Sequence, residues 1–439
     1  METCIALFIS LVVLLFLNLL FSKTNVHFYG SKAHPFGLFV IIQFIIISLP
    51  GVLMISFLGY ESDRYLGISS DTKFAIGIWY FYSFIVLFFI LYLLVRIGKL
   101  NWYSKCAGEA IPYEKYIKYF FVFITISILF IAVKFVLSKP APIYYLILGD
   151  VNKAYETRVD MQLHPEDYYI PYFSRFITMF LVYQFYFCYY FYTFSTKRTV
   201  MMRMLIIVSF CMAVLEVLYD TQKAPLIFIV VGALFINQLK KQNIGKLLIA
   251  GIILGITVTI LQSFVTGADI SESLTRAVDR FVLGQNQGFY HIINSIKPDE
   301  KYWFTGFFFV EQFGIIPSRA DMDVIPYTIY AGSDIVNVNS YYMGEAWSMF
   351  GVMGLLFSPV IVAFMIYFYI KIIDLYIGVE PIFTVPFMIY FVPEIRVQQS
   401  FTYFLYSKTF LLSFILFIVI VIVVKTLVGV LKPIKVNNP

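Results

Sequence analysis

Long uninterrupted runs of apolar residues recur along this chain, and they limit its fold more than any other feature. Only helices and closed barrels satisfy their backbone groups in hydrocarbon, and the runs are too long and too continuous for barrel strands. Hydropathy predicts eleven segments that can cross ~30 Å of hydrocarbon as helices. These segments are about 4–22, 36–58, 74–95, 117–137, 176–194, 201–219, 224–239, 245–264, 347–370, 378–392 and 409–431.

The composition agrees with this interpretation, since 60% of the residues are hydrophobic and only 13% are charged. We therefore predict an all-α polytopic membrane protein with about eleven transmembrane helices, within a range of ten to fourteen. The first run has no basic stretch before it and no small-residue cleavage site after it, so we interpret it as a retained span. The whole chain, 1–439, is expected to form a single transmembrane domain.

Short loops between the segments alternate in charge, which predicts the orientation of the chain. Loops rich in Lys and Arg belong in the cytoplasm by the positive-inside rule. The N-terminus is then expected outside, the C-terminus inside, and the long loops 138–175 and 265–346 on the outer face. Topology accounts for the net charge of +6, so no nucleic-acid partner is expected. The basic loops are SKTNVHFYGSKAH, RIGKLNWYSKCAGEAIPYEK, STKRTVMMR and LKKQNIGK.

The second long loop belongs to the only long polar interval of the sequence, from about Phe264 to Phe350. Arg276 and Arg280 lie there at a spacing that places both on one face of a helix. Two guanidiniums on one face suit a pyrophosphate or a phosphodiester, because their fork geometry matches the oxygens. The alternative is a solvated helix face on which Glu272 and Asp279 neutralise them.

Other cations on the outer side are candidates for the same anion. Arg319 is followed by two aspartates, a pattern more typical of a self-neutralising turn than of a metal site, so no metal is expected. Glu216 lies inside the sixth predicted span, and we expect it to pair with Lys223 or with an arginine of the long loop. Further arginines on other outer loops could converge over one cavity, namely Arg158, Arg175 and Arg396.

Two residues are candidates for a general base. Glu345 lies at the outer mouth of the ninth predicted span, where partial desolvation would raise the pKa of its carboxyl group. Its alternative role is that of an interfacial carboxylate that ends a loop. His291 lies among aromatic residues, a setting more typical of a packed, hydrogen-bonded histidine. We therefore prefer Glu345 as the base.

Aromatic side chains crowd the end of the same loop. Tyr341, Tyr342 and Trp347 are candidates for stacking on sugar rings, although an interfacial aromatic belt is the better explanation of such residues. The sequence contains no nucleotide-binding motif and no soluble catalytic module. Any enzyme must then act at the membrane on a substrate that brings its own free energy.

Four stretches together resemble a known family: the opening apolar run with its short basic loop, TQKAPL, RAVDRFVLGQNQGFY, and above all NSYYMGEAWSMFGVMGLLFSP at the start of a late span. The family is that of the bacterial oligosaccharide repeat-unit polymerases, the Wzy-type O-antigen polymerases. The odd number of predicted spans departs from the even number common in that family.

The resemblance implies a GT-C-like membrane glycosyltransferase architecture in the bacterial inner membrane, with its active face on the outer side. It implies an inverting, metal-independent transfer of a glycan from undecaprenyl pyrophosphate to a new lipid-linked repeat unit. It also implies that arginines of the outer loops hold the pyrophosphate, that no cofactor is needed, and that membrane lipid and a chain-length-regulating co-polymerase are partners.

Three other functions remain alternatives. A flippase or transporter of the lipid-linked oligosaccharide would have short loops and ionisable groups in the middle of several spans, whereas one outer loop here is about 80 residues long. An O-antigen ligase would use similar chemistry with a different acceptor. A structural or regulatory membrane component has no positive indication in the sequence.

Overall fold

In this computed structural model the described residues are 2–24, 26–30, 33–100, 110–169, 173–219, 224–240, 269, 275, 279–303, 339–377, 380–405 and 408–430. Over these ranges the chain is helical, without a β-strand. The first ten helices are α1 Glu2–Ser22, α2 Phe36–Phe57, α3 Ser70–Gly98, α4 Tyr113–Leu137, α5 Pro142–Ile147, α6 Val151–Leu163, α7 Pro165–Tyr168, α8 Phe173–Phe194, α9 Val200–Val217 and α10 Ala224–Lys240. The others are α11 Gln287–Ser295, α12 Met343–Phe350, α13 Val352–Ile377, α14 Pro381–Phe391, α15 Phe401–Leu405 and α16 Lys408–Val430.

Within the described ranges, seven helical segments are long and apolar enough to cross a membrane. They are α1, α2, α3, α4, α9, α13 and the segment Phe401–Val430, which includes α15 and α16. Each coincides with a segment expected from hydropathy, which confirms an α-helical membrane protein. The prediction of eleven spans is confirmed only to that extent, because α10 and α14 are shorter apolar helices and the segment 245–264 lies outside the described residues.

Helix α8 is long enough to span at 22 residues, but its five tyrosines lower its hydropathy. It packs against α4, α9, α10, α14 and α16, and most of its side chains are buried. A helix surrounded by other helices does not face lipid, so it can carry more polar side chains than a peripheral span. Its location explains why a helix of moderate hydropathy stands at the centre of this group.

A second group of helices consists of α1, α2, α3 and α13, with α11 and α12 packed at one end. Helix α2 is mostly buried, and Pro50 in its middle has no N–H to donate. The helix widens to π geometry on both sides of that turn, over Val40–Ser48 and Leu53–Phe57. Such irregular turns let Ser48 and Ser56 reach the segment around α11, which they bind.

Local signals set the helix ends. The Ser69 side chain accepts a hydrogen bond from the Thr72 N–H and starts α3, while Thr199 caps α9 in the same way through Met202. The expected span 347–370 is wrong at its beginning, because α12 ends at Phe350 and α13 starts at Val352. Gly351 separates them at a φ of 58°, a conformation that favours glycine.

Contacts between loops sort them into two sets, one at each end of the bundle. At one end the Ile111 N–H donates to the Phe194 carbonyl at 2.9 Å, and Lys371 Nζ donates to the Gly98 carbonyl at 2.9 Å. At the other end the Tyr219 hydroxyl donates to the carbonyl of Tyr168 at 3.2 Å. These contacts join loops that the alternation of charge places on one side, but the turn Val392–Glu394, expected on the outer side, contacts Phe36–Phe39 at the expected inner end of α2. The assignment of either end to the cytoplasm stays a prediction.

Candidate functional site

A cavity of about 210 Å³ lies among α8, α9, α10, α14 and α16. Its polar end contains Arg175, from the first turn of α8, together with Glu394 and Arg396. The wall follows α8 from Arg175 to Tyr186, a length of about 16 Å at the helical rise. The remaining wall is largely apolar and includes Met179, Val182, Val217, Phe228, Ile389, Leu412 and Leu416. We call this space the arginine cavity.

The chain leaves helical geometry where Arg396 enters the arginine cavity. Helix α14 ends in a single turn over Val392–Glu394 that contains Pro393, and the chain resumes a helix only at α15. One Arg396 Nη atom lies 3.3 Å from a Glu394 carboxylate oxygen, and the Arg396 side chain is partly exposed. Two arginines from different segments thus meet at the mouth of an apolar space. This arrangement suits an amphiphile with an anionic head and an apolar tail.

A buried ion pair stands behind one wall of the arginine cavity. Lys134 Nζ lies 2.7 Å from Glu216 Oε1, and only 4% and 5% of these side chains are exposed. The hydroxyl of Thr178, which lines the cavity, donates to the same carboxylate oxygen at 2.6 Å. Glu216 thus pairs with Lys134, a partner that the sequence did not suggest. Lys223 lies outside the described residues.

Glu345 lies in the first turn of α12 and is only 3% exposed. Its Oε2 accepts a hydrogen bond of 2.6 Å from the backbone N–H of Thr402. Three residues earlier, the Tyr342 N–H donates to the carbonyl of Val397 at 3.1 Å. The helix that carries Glu345 is therefore bound at two points to the segment that carries Arg396. Glu345 does not itself line the arginine cavity.

His291 belongs to a separate cluster, the Arg64 junction, which joins α11 to the loop between α2 and α3. Its Nε2 lies 2.8 Å from the Arg64 carbonyl, which can only accept, so this nitrogen carries the proton. Arg64 Nε lies 2.6 Å from Asp279 Oδ2, and another guanidinium nitrogen donates to Gln287 Oε1 at 3.1 Å. Burial lowers the pKa of His291, against the opposing effect of the Arg64 hydrogen bond, so the ring is neutral at pH 7.

The pair Arg276 and Arg280 is described only in part. Arg280 is exposed on a single π-helical turn, Asp279–Leu283, while Arg276 lies outside the described residues. Asp279 pairs with Arg64 across the junction. Glu272 also lies outside the described residues, so the alternative of a solvated, self-neutralised helix face stays a prediction.

The remaining predicted anion ligands are not brought together with Arg396. Arg158 lies half-buried on α6 in the first long loop and does not line the arginine cavity. Arg319, like Asp321 and Asp323, lies outside the described residues. Within the described ranges no three His, Cys, Asp or Glu side chains are grouped so that they could hold a metal ion.

The three aromatic candidates are packed against the protein. Tyr341 and Tyr342 are fully buried, and the Ser83 hydroxyl lies 3.1 and 2.5 Å from their respective hydroxyl oxygens. Trp347 is half-buried and donates its ring N–H to the carbonyl of Ile296 at 3.0 Å. A sugar would have to displace this packing to reach either tyrosine ring, because neither ring has an exposed face. Stacking of a sugar on these residues stays a prediction.

Sequence reasoning missed Arg64 and Lys134, whereas it included Arg175 among the arginines that could converge over one cavity. A cation near the end of an apolar run, as at Lys134, was a usable signal, because such a charge needs a partner. Arg64 lies in a short loop and offered no signal of that kind. Comparison with protein-family models, curated protein sequences and solved structures finds no match to this chain.

Proposed function

We propose that this chain is a membrane glycosyltransferase that polymerises oligosaccharide repeat units. Its donor and acceptor are linked to undecaprenyl pyrophosphate, and transfer takes place at the outer leaflet of a bacterial inner membrane. The product is an O-antigen or a similar surface polysaccharide. The proposal also includes a chain-length-regulating co-polymerase as a partner.

The observation that carries this proposal is the arginine cavity together with its link to Glu345. Arg175 and Arg396 offer two permanent cations above an apolar wall, which matches a pyrophosphate head on a polyprenyl tail. The hydrogen bonds from the Tyr342 N–H to Val397 and from the Thr402 N–H to Glu345 hold α12 against the Arg396 segment. A carboxylate and an anion site thus belong to one connected unit, as a transfer reaction with an anionic leaving group requires.

In the proposed reaction, a hydroxyl oxygen of the acceptor sugar attacks the anomeric carbon of the donor glycan. The bond from that carbon to the pyrophosphate oxygen breaks, and the electron pair leaves with undecaprenyl pyrophosphate. Glu345 accepts the proton of the attacking hydroxyl, and the guanidiniums of Arg175 and Arg396 offset the charge that grows on the leaving group. The configuration at the anomeric carbon inverts.

The buried charges favour this function over a flippase. Lys134 lies three residues from the end of α4, and Glu216 lies one residue from the end of α9, so the pair is near the ends of both helices. A transporter relay would be expected nearer to the middle of the spans. A ligase would share the donor site and differ only in its acceptor.

The arginine cavity is tested with single substitutions in a strain whose surface polysaccharide depends on this chain. We expect Arg396→Ala and Arg175→Ala to reduce polymer by about tenfold or more, since a charge-assisted hydrogen bond contributes roughly 1.5–3 kcal/mol. Arg396→Lys should restore part of the activity, because it keeps the charge but loses the planar fork. The measurement is the ladder of surface glycan on a gel.

Arg203→Ala serves as the matched control, because Arg203 is exposed in the first turn of α9, at the opposite end of that helix from the cavity. Membrane levels of every variant are compared first. A normal ladder in both Arg175→Ala and Arg396→Ala would contradict the assignment of the anion site. A normal ladder after deletion of the whole chain would contradict the function.

A further inference from the structure

A second pocket, of about 360 Å³, opens on the surface beside α12. It is lined by the segment that follows α11 and by the junction of α12 and α13, and it contains Trp303, Phe350 and Met353. Two carboxylates, from Asp299 and Glu300, belong to the same lining. Neither the arginine cavity nor the Arg64 junction includes any of these residues. We call this space the Trp303 pocket.

The indole of Trp303 is held in a fixed orientation and still presents an open surface. Its ring N–H donates to the carbonyl of Met349 at 2.7 Å, and its centroid lies 5.8 Å from that of Phe350. The residue nevertheless remains 41% exposed. A rigid aromatic surface loses little conformational entropy when a ligand covers it, which favours binding.

The carboxylates beside the indole are exposed and anchored. The Asp299 N–H donates to the carbonyl of Ser348 at 3.0 Å, which ties the segment to α12. Asp299 Oδ1 also accepts the N–H of Lys301 at 2.9 Å and so fixes the turn that carries Glu300. Ionised carboxylates are acceptors only, so they bind a ligand that offers several hydroxyl donors.

We propose that the Trp303 pocket binds a pyranose ring of the glycan. The apolar face of the sugar stacks on the indole, and its hydroxyls donate to Asp299 and Glu300. A volume of about 360 Å³ lies within the ~300–1,000 Å³ typical of small-molecule sites. The main alternative occupant is the lipid interface, where tryptophan is common.

Two features favour the sugar over the lipid. The ring N–H of Trp303 points inward to the Met349 carbonyl, whereas an interfacial tryptophan typically turns its N–H toward the hydrated headgroups. Asp299 and Glu300 also place carboxylate acceptors on the rim, although Lys301 Nζ lies 3.9 Å from Asp299 Oδ2 and offsets part of their charge. A polyhydroxyl ring can use such acceptors, whereas an acyl chain cannot.

The position of the pocket points to the acceptor glycan, an assignment that rests on the proposed function. Met349 lies four residues after Glu345 on α12, about 6 Å along the helix axis. Helix α12 contacts the turn Glu300–Tyr302 as well as α15, whose first turn binds the Glu345 carboxylate. The Trp303 pocket and the donor segment thus share the helix that carries the candidate base.

Binding is tested directly on the purified full-length chain by isothermal titration. The probe is the free oligosaccharide released by mild acid from the lipid-linked repeat unit of cells that express the chain. We expect Trp303→Ala to weaken binding by about tenfold, and the double variant Asp299→Asn, Glu300→Gln to weaken it too. Trp303→Phe should retain most of the affinity. Asp167→Asn, which changes an exposed carboxylate on another outer loop, is the matched control and should bind normally.

Two results would overturn the pocket assignment. One is that the oligosaccharide fails to bind the unmodified chain, or binds it and Trp303→Ala equally well. The other concerns the tryptophan fluorescence that Trp303→Ala removes. If brominated phospholipid quenches it to the same degree with and without oligosaccharide, the indole contacts lipid and not the sugar. Glycosyl transfer is assayed separately on the same preparation. Binding without transfer would support the assignment of the Trp303 pocket and contradict the proposed function.

Discussion

Lys134 and Glu216 form a buried ion pair on which the stability of the fold is expected to depend. Both side chains are almost fully buried, and the ammonium also lies 3.6 Å from the centroid of the Tyr219 ring. We predict that Glu216→Gln lowers the free energy of unfolding by roughly 3–5 kcal/mol, because it leaves a buried ammonium without its counter-charge. The measurement is the thermal unfolding of the detergent-solubilised protein.

The surface pair Lys139 and Asp167 provides the comparison, since 55% and 41% of these side chains are exposed. Asp167→Asn should change stability by less than about 1 kcal/mol. The double variant Lys134→Met, Glu216→Leu should recover most of the loss, because apolar residues replace both charges. If Glu216→Gln is as mild as Asp167→Asn, the buried ion pair is not a major contributor.

His34 makes stability depend on pH. It is buried, its Nδ1 accepts the Phe36 N–H at 2.9 Å, and burial lowers its pKa from 6.5 to about 3. Between these values the unfolded chain binds more protons than the folded chain, so stability falls as the pH falls below 6.5. At pH 5 the expected loss is about 2 kcal/mol relative to pH 7.5.

His34→Asn retains an acceptor near the Nδ1 position but does not titrate in this range. It should therefore narrow the difference in unfolding temperature between pH 7.5 and pH 5, even if it lowers both values. His164→Asn is the control, because His164 is exposed. An unchanged pH dependence in His34→Asn would show that other groups cause the acid sensitivity.

Residue types alone indicated part of the candidate site. Glu345 and Arg396 were both identified from the sequence, and the structure links their segments through Thr402 and Val397. The interaction of Arg64 with Asp279 joins residues more than 200 positions apart. Such a contact depends on how the spans pack, which periodicity and charge do not encode.

At the scale of elements, the contact between α12 and α13 depends on a glycine. A Cβ built on Gly354 would clash with the Ala346 carbonyl oxygen, next to Glu345. We predict that Gly354→Ala displaces α12, reduces stability by about 1–3 kcal/mol and lowers polymer formation. Unfolding temperature and the glycan ladder measure the two effects. Gly429→Ala is the control because its Cβ would lie in open space, and equal behaviour of the two variants would contradict this account.

Hydropathy located the long apolar helices well, because a helix that faces lipid must be apolar along its length. Hydropathy was less informative for helices that pack against other helices instead of facing lipid. Helix α8 has its tyrosines buried against other helices, and the break at Gly351 depends on one backbone angle inside an apolar run. The non-helical segment after Pro393 lies between two predicted spans, as expected, but hydropathy did not indicate its tertiary contacts, such as the hydrogen bond from Gln398 to the Gln43 carbonyl.

For the whole molecule, the sequence predicted two sets of loops at opposite ends, and several contacts join loops of the same predicted set. Lys425 pairs with Glu380 at 2.6 Å at one end, and the Ser56 hydroxyl donates to the Lys73 carbonyl at 2.6 Å at the other. The arginine cavity, Glu345 and the Trp303 pocket belong to elements that contact one another in a continuous series. The proposed transfer between two lipid-linked glycans requires such a connected arrangement.

Reconstitution tests the proposed transfer most directly. The purified full-length chain is incorporated into vesicles with undecaprenyl-pyrophosphate-linked repeat units, without nucleotide or added cofactor, and the products are separated by size. We predict a ladder of glycan polymers, and its reduction by a hundredfold or more, to about the background rate, in Glu345→Gln. If the vesicles contain only single repeat units after incubation with active, folded chain, or if Glu345→Gln yields the same ladder, the account is contradicted.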